Sequence, residues 1–211
     1  MVGTRFVQDF FTIIEMTPFI KLASDFNIDW NIDDIISKIS NDVVDPNNNI
    51  SPYFHPSGIA HWQHYPRTNI SFARHFYRNF PLECMKVTIK LRELQQAYAE
   101  ISTDDELILS FINHRIMPLK VNIIRTIGGK NVEPHSDITR DICINIGLYN
   151  SNLFKTRMSD TIDTIHFYDT PTNDFIMNDG DVYLLSIKNA HCVESLITTA
   201  EPRYIITYTL K

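Results

Sequence analysis

Along the chain, apolar positions follow a helical period in the first half and a strand period in the second. Cys84, Val87, Leu91, Leu94 and Tyr98 recur at alternating three- and four-residue steps. That spacing puts them on one face of a helix and predicts one from about Leu82 to Glu100. Thr103 and Glu106 have the spacing of a capping box. They predict a second helix carrying Ile108, Phe111, Ile112 and Arg115, with Pro118 just beyond its end. Upstream, Asn31 followed by Ile32, Ile35, Ile36 and Ile39 reads as a cap and a helical stripe to about Ser40. Asp45-Pro-Asn-Asn-Asn reads as a turn. From Ser51 to Asn69 no period emerges and four positions are Gly or Pro, so irregular chain draped over the core is expected there.

Past Pro118 the period falls to two. Leu119–Ile127, Asp141–Tyr149, Thr164–Tyr168, Phe175–Met177, Val182–Ile187, His191–Leu196 and Arg203–Leu210 are short, rich in β-branched and aromatic residues, and separated by polar turns. Asn178-Asp-Gly-Asp181 is a tight-turn signal between two of them. Helices followed by about seven strands give an α+β chain with a sandwich- or barrel-like C-terminal half. A chain of 211 residues suits one domain. Residues 1–118 would be a mainly helical and irregular N-terminal elaboration, and residues 119–211 a β-rich core.

Composition narrows the class. An apolar content of 44% with 21% charged residues fits a globular protein rather than a disordered one. Charges interrupt every apolar run before it can span a bilayer, so no membrane association and a cytoplasmic location are expected. Cys84, Cys143 and Cys192 are odd in number and far apart, which reads as reduced thiols rather than a disulfide framework. A net charge of −6 opposes nonspecific nucleic-acid coating. One stretch runs against that balance. Residues 46–82 contain no acid, yet they carry Arg67, Arg74, Arg78 and several aromatics and histidines. They read either as a supporting layer or as a surface for a nucleobase substrate.

The candidate chemistry lies in the β half. His135-Ser136-Asp137 places an imidazole and a carboxylate on one side of an extended segment, where both reach one ion. His191 opens a later predicted strand and Arg203 opens the last. Two histidines and one carboxylate make the facial set of non-haem Fe(II) oxygenases, which leaves the opposite coordination face open.

The strand, Gly turn and HxD in Val121–Asp137 resemble those of Fe(II)/2-oxoglutarate-dependent dioxygenases. The segment Ile138–Leu148 is similar to the following strand in small prolyl-hydroxylase-like and aspartyl/asparaginyl-hydroxylase-like members. Asn178–Ser186, His191 and Arg203 resemble the family's turn, distal ligand and cosubstrate arginine. The likeness runs from about Leu119 to the C-terminus. It implies a double-stranded β-helix (a jelly-roll, cupin-like core) with the N-terminal helices packed against it. It implies Fe(II) on His135, Asp137 and His191, with 2-oxoglutarate as cosubstrate and O2 as oxidant. Arg203 would hold the distal carboxylate, helped by Asn145 and Thr207. The expected activity is hydroxylation of a small molecule or of an amino-acid or protein side chain, releasing succinate and CO2. A nucleobase-directed oxygenase and a non-catalytic cupin-like metal- or ligand-binding module are the rival readings.

Two departures from the pattern stand out. Ile205 occupies the position two after the arginine, where many members carry Ser or Thr. Arg125-Thr126-Ile127 replaces the Tyr that many carry before the Gly turn. Among the other polar residues, Asn145 shares a face with Cys143 and Gly147, a face that would point inward. Arg140 reads as a carboxylate contact or a surface ion pair. Cys192 should point away from the metal, His166 should pack or line the pocket, and His114 should sit at a helix C-terminus. His61 and His64 are too embedded in irregular chain to suggest a second metal site.

Overall fold

The computed structural model describes residues 17–31, 33–35, 37, 59–61 (backbone only), 76–129, 131–137 and 140–210. Two antiparallel sheets and two longer helices dominate the described residues, with further helical residues at 33–35, 37 and 76–79. Helix α1 spans Pro81–Ala99 and begins on a proline, which costs nothing where the first N–H has no intrahelical partner. Helix α2 spans Glu106–Asn113. Its start corrects the expected capping box. The Asp105 carboxylate accepts from the N–H groups of Leu107 and Ile108, while the Thr103 hydroxyl accepts from Asp105 N–H and closes the turn before the helix. Glu106 therefore sits at the first helical position, too early to reach back, and Arg115 lies beyond the helix end. Asn31 does act as a cap, its side chain accepting from Asp34 N–H. The predicted stripe is helical at Asp33, Asp34, Ile35 and Ser37, with Ile35 N–H donating to Asn31 O and its side chain buried. The rest of that stripe, His64 and most of the acid-free stretch lie outside the described residues.

The strands are β1 (Phe19–Ala23), β2 (Ile59–His61), β3 (Val121–Ile127), β4 (Val132–His135), β5 (Ile142–Tyr149), β6 (Phe154–Ser159), β7 (Thr172–Ile176), β8 (Val182–Ser186), β9 (His191–Ser195) and β10 (Pro202–Leu210). A six-stranded sheet runs β1-β8-β5-β10-β3-β2, and a four-stranded sheet runs β4-β9-β6-β7. Strand β6 is absent from the periodicity reading. Its inward Phe154 and Met158 alternate with Lys155 and Arg157, which pair outward with Asp174 and Glu194. The predicted strand Thr164–Tyr168 is a loop with one 3-10 turn, Phe167–Asp169. His166 is accordingly exposed and bonded to Asp163 at 2.8 Å, neither packed nor in a pocket.

Helices pack on the outer face of the larger sheet. Cys84, Val87 and Leu91 of α1 and Phe111 of α2 meet Ile123, Ile144, Ile146, Ile206 and Tyr208, all fully buried. Replacing one such Leu or Phe by Ala would cost on the order of 2–5 kcal/mol. Polar ties fix the layer's register. Tyr98 Oη donates to Leu22 O, and Gln95 Nε2 donates to the carbonyls of Phe111 and His114 at the end of α2. Tyr208 Oη accepts from Met117 N–H at 2.7 Å and donates to Arg115 O at 3.3 Å.

The period-two reading of β5 holds on both faces. Ile144 and Ile146 face the helices, while Cys143 and Asn145 face the space between the sheets. At Gly147 the β5 backbone meets the Asn178–Asp181 turn, giving N–H to Asp181 O and accepting from Gly180 N–H. A Cβ there would lie 2.1 Å from Asn178 O. Gly180, at φ +84°, supplies the left-handed step of that turn. Among the described residues, no helix is long and apolar enough to cross a membrane.

Candidate metal centre

The two sheets enclose a cavity of about 400 Å3. Its walls follow from strand alternation. Strand β10 contributes Arg203, Ile205 and Thr207, β5 contributes Cys143 and Asn145, β3 contributes Ile124 and Thr126, and β6 contributes Thr156 and Met158. His135, Asp137 and His191 stand together on the side of the smaller sheet. His135 ends β4 and His191 opens β9, directly opposite each other in the antiparallel pair, with ring centroids 4.3 Å apart. Asp137 follows two residues after His135, held by its own N–H to Ile187 O at 2.9 Å. One ligand atom from each residue lies within 4.8 Å of the others, and His191 is the most deeply set.

Backbone carbonyls fix the state of both histidines. Nδ1 of His135 lies 2.9 Å from Glu133 O, and Nδ1 of His191 lies 2.8 Å from Asn189 O. A carbonyl only accepts, so Nδ1 carries a proton in each ring and Nε2 is the atom left for a metal. Burial, and then the neighbouring His135 imidazole, hold the His191 imidazole well below its ordinary 6.5, so the lone pair is available at neutral pH. Asp137 Oδ1 accepts from Arg140 Nη2 at 2.7 Å, so Arg140 forms an ion pair with the triad carboxylate itself.

Arg203 is the electrostatic anomaly of the cavity. It is 4% exposed, its Nε has no hydrogen-bond partner, and no ion pair to it occurs among the described residues. Its guanidinium carbon lies 4.8 Å from the centroid of the Phe154 ring, a favourable contact for the charge. Burial takes its pKa from 12.5 down to about 10, so it remains a cation at neutral pH. A buried unpaired charge is expensive, and an anionic ligand in the cavity would relieve it. The residues present therefore suit both a divalent ion on the triad and a carboxylate against Arg203.

The fold is shared with a prolyl-4-hydroxylase. The match to the Pseudomonas putida enzyme covers 92% of this chain and 93% of that chain, at 11% identity and a TM-score of 0.50. AviO1 from Streptomyces viridochromogenes Tue57 matches over 92% of this chain and 90% of that one, at 12% identity and a TM-score of 0.53. An oxidoreductase of the 2OG-Fe(II) oxygenase family from Burkholderia pseudomallei overlaps over only 42% of this chain and 41% of that chain. Its 19% identity and TM-score of 0.34 leave the weight on the two full-length matches. No family model matches the chain, and no curated protein matches it by sequence. In fold the chain resembles those two full-length matches, and it carries a His-Asp-His cluster of its own in the cavity between its sheets.

Every residue singled out from the sequence for the site lines this one cavity: His135, Asp137, His191, Arg203, Asn145 and Thr207. Asn145 is also within weak hydrogen-bonding range of Cys143 Sγ, at 3.7 Å. Cys192 is buried outside the cavity, as alternation requires, and the three cysteines are free. Ile205 does face the cavity and brings no hydroxyl. The residue sequence reasoning missed is Thr126. It is buried, lines the cavity, and is the cross-strand partner of Arg203. The signal was present in the register, since a threonine on β3 opposite the arginine shares its face, but register between distant strands is not visible in sequence.

Proposed function

We propose that this chain is an Fe(II)/2-oxoglutarate-dependent dioxygenase with a double-stranded β-helix core. It would hydroxylate a small molecule or an amino-acid or protein side chain, with release of succinate and CO2. The observation that carries this reading is a buried, unpaired Arg203 in the same cavity as the triad. A structural metal site would not need that cation, and an apolar ligand would not relieve it.

His135, Asp137 and His191 would hold the iron through two neutral Nε2 atoms and one carboxylate, leaving the facing positions open. When bound, the iron and the keto acid supply the activation of O2. Arg203 would take the distal carboxylate of 2-oxoglutarate by parallel hydrogen bonds. Thr126 and Thr207 offer the hydroxyls that Ile205 lacks, and Asn145 offers an amide on the adjoining strand. Ile124, Leu185, Met158 and Met177 wall the cavity with apolar surface that keeps water from the reacting centre.

The test is spectroscopic. Anaerobic Fe(II) and 2-oxoglutarate should give the weak visible charge-transfer band of a chelated keto acid, and Asp137→Ala should abolish it. Absence of the band, together with no succinate release in air, would reject the reading in favour of a non-catalytic binding module.

A further inference from the structure

Arg140 lines the cavity beside the triad yet uses only one of its side-chain donors. Its Nη2 meets Asp137 Oδ1 at 2.7 Å, and no other hydrogen bond of this guanidinium occurs among the described residues. The side chain is part-buried, 23% exposed, so the remaining donors stand at the border of cavity and solvent. Arg203 is deeper and is already assigned to the cosubstrate. The cavity thus contains two arginines with different depths and one assigned anion.

Charge accounting sharpens this. Within the cavity Asp137 offsets one arginine, and the dianionic keto acid offsets the divalent ion. One positive charge is left over. Glu133 also lines the cavity but is exposed to solvent, where water screens it. A substrate bearing one negative charge would close the balance, whereas a phosphate monoester, at nearly two charges, would overshoot it.

Building on the dioxygenase reading above, we propose that the substrate is a carboxylic acid and that Arg140 is its anchor. The guanidinium would grip the substrate carboxylate with the donors that Asp137 leaves free, a geometry the planar fork suits. Because the same side chain touches a triad residue, the anchored group lies close to the metal position. The oxidised carbon therefore lies within a few bonds of the carboxylate. Arg140 also holds Asp137 in place, so its substitution has two separable effects.

The experiment uses the full chain, loaded anaerobically with Fe(II) and 2-oxoglutarate, and follows the charge-transfer band. The probes are α-amino acids and short aliphatic and aromatic carboxylic acids, each beside its primary amide and an equivalent phosphate monoester. At least one acid should shift the band saturably, with its amide at least about 10-fold weaker, the scale of a charge-assisted hydrogen bond. Arg140→Gln keeps one N–H for Asp137 but loses the charge. It should weaken the acid by about 10- to 100-fold, at least about 10-fold beyond any loss in Fe(II) or 2-oxoglutarate affinity. Arg140→Lys should recover part of the difference. Amides or phosphates binding as well as acids would overturn the assignment. So would a band that no acid moves, or a loss in Arg140→Gln no larger than its loss of metal. A wild-type protein that never develops the band fails at the parent reading and takes this one with it.

Discussion

Arg203→Met separates binding from folding. Burial lowers the Arg203 pKa from 12.5 to about 10, which at ~1.4 kcal/mol per tenfold is a penalty of about 3 kcal/mol. The Phe154 face recovers roughly 1 kcal/mol of it. Methionine keeps an unbranched apolar stem without the charge, so the ligand-free protein should gain about 2 kcal/mol. For a chain of this size that is an upward shift of about 4–8 °C in Tm, measured by circular dichroism without metal or keto acid. With Mn(II) present and O2 excluded, 2-oxoglutarate at a hundredfold excess over Kd should raise the stability of the wild type by about 2.7 kcal/mol. The variant should show no such rise. A ligand-free variant that melts below the wild type, or one that still responds to 2-oxoglutarate, would refute the claim that Arg203 is an unpaired cation awaiting an anion.

Three further outcomes follow from contacts away from the triad. Asp181 is buried and works against its own desolvation. Hydrogen bonds from Lys21 at 2.7 Å and from Asn178 N–H nevertheless hold its carboxyl below the usual range. With the folded pKa depressed, its contribution is present above about pH 4 and is lost as pH falls through the folded value. Asp181→Asn should therefore flatten the acid limb of a pH–Tm curve and lower Tm at neutral pH, and an unchanged acid limb would count against it. Gly147→Ala drives a methyl to 2.1 Å from Asn178 O and 2.9 Å from Ser151 Oγ, so urea unfolding should show a loss of about 1–3 kcal/mol. Tyr208→Phe leaves Met117 N–H without its acceptor, and the same measurement should show a loss of about 1–2 kcal/mol.

The sequence carried the parts of this fold that depend on local repetition. The 3-4 spacing of Cys84 to Tyr98 marked α1 to within a residue at each end, and alternation along Cys143–Gly147 separated the inward face of β5 from the helical layer. It failed where tertiary contacts decide. Lys155 and Arg157 made β6 look like connecting chain, because the acids that neutralise them, Asp174 and Glu194, come from β7 and β9. Phe19–Ala23 becomes a strand only because the exposed edge of β8 is there to pair with it. His166 sits in a run rich in Ile and Tyr, yet Asp163 captures its ring and turns the segment outward. In the site, the triad was legible because two of its members are neighbours in sequence and the third opens a strand. Thr126 was not, because its relation to Arg203 exists only across the β3–β10 pairing.

The hydrogen bonds that orient His135 and His191 end on main-chain oxygens, of Glu133 and of Asn189. Where a carboxylate side chain does this work, one substitution erases it. A carbonyl survives every substitution at its own position short of a change in backbone path. The proton placement of the candidate ligands is thus insulated from mutational drift in the surrounding side chains. The Glu133 side chain, which lines the cavity and is exposed, can vary in answer to whatever enters it. The mouth of the site can be remodelled for new substrates while the chemistry beneath it stays set.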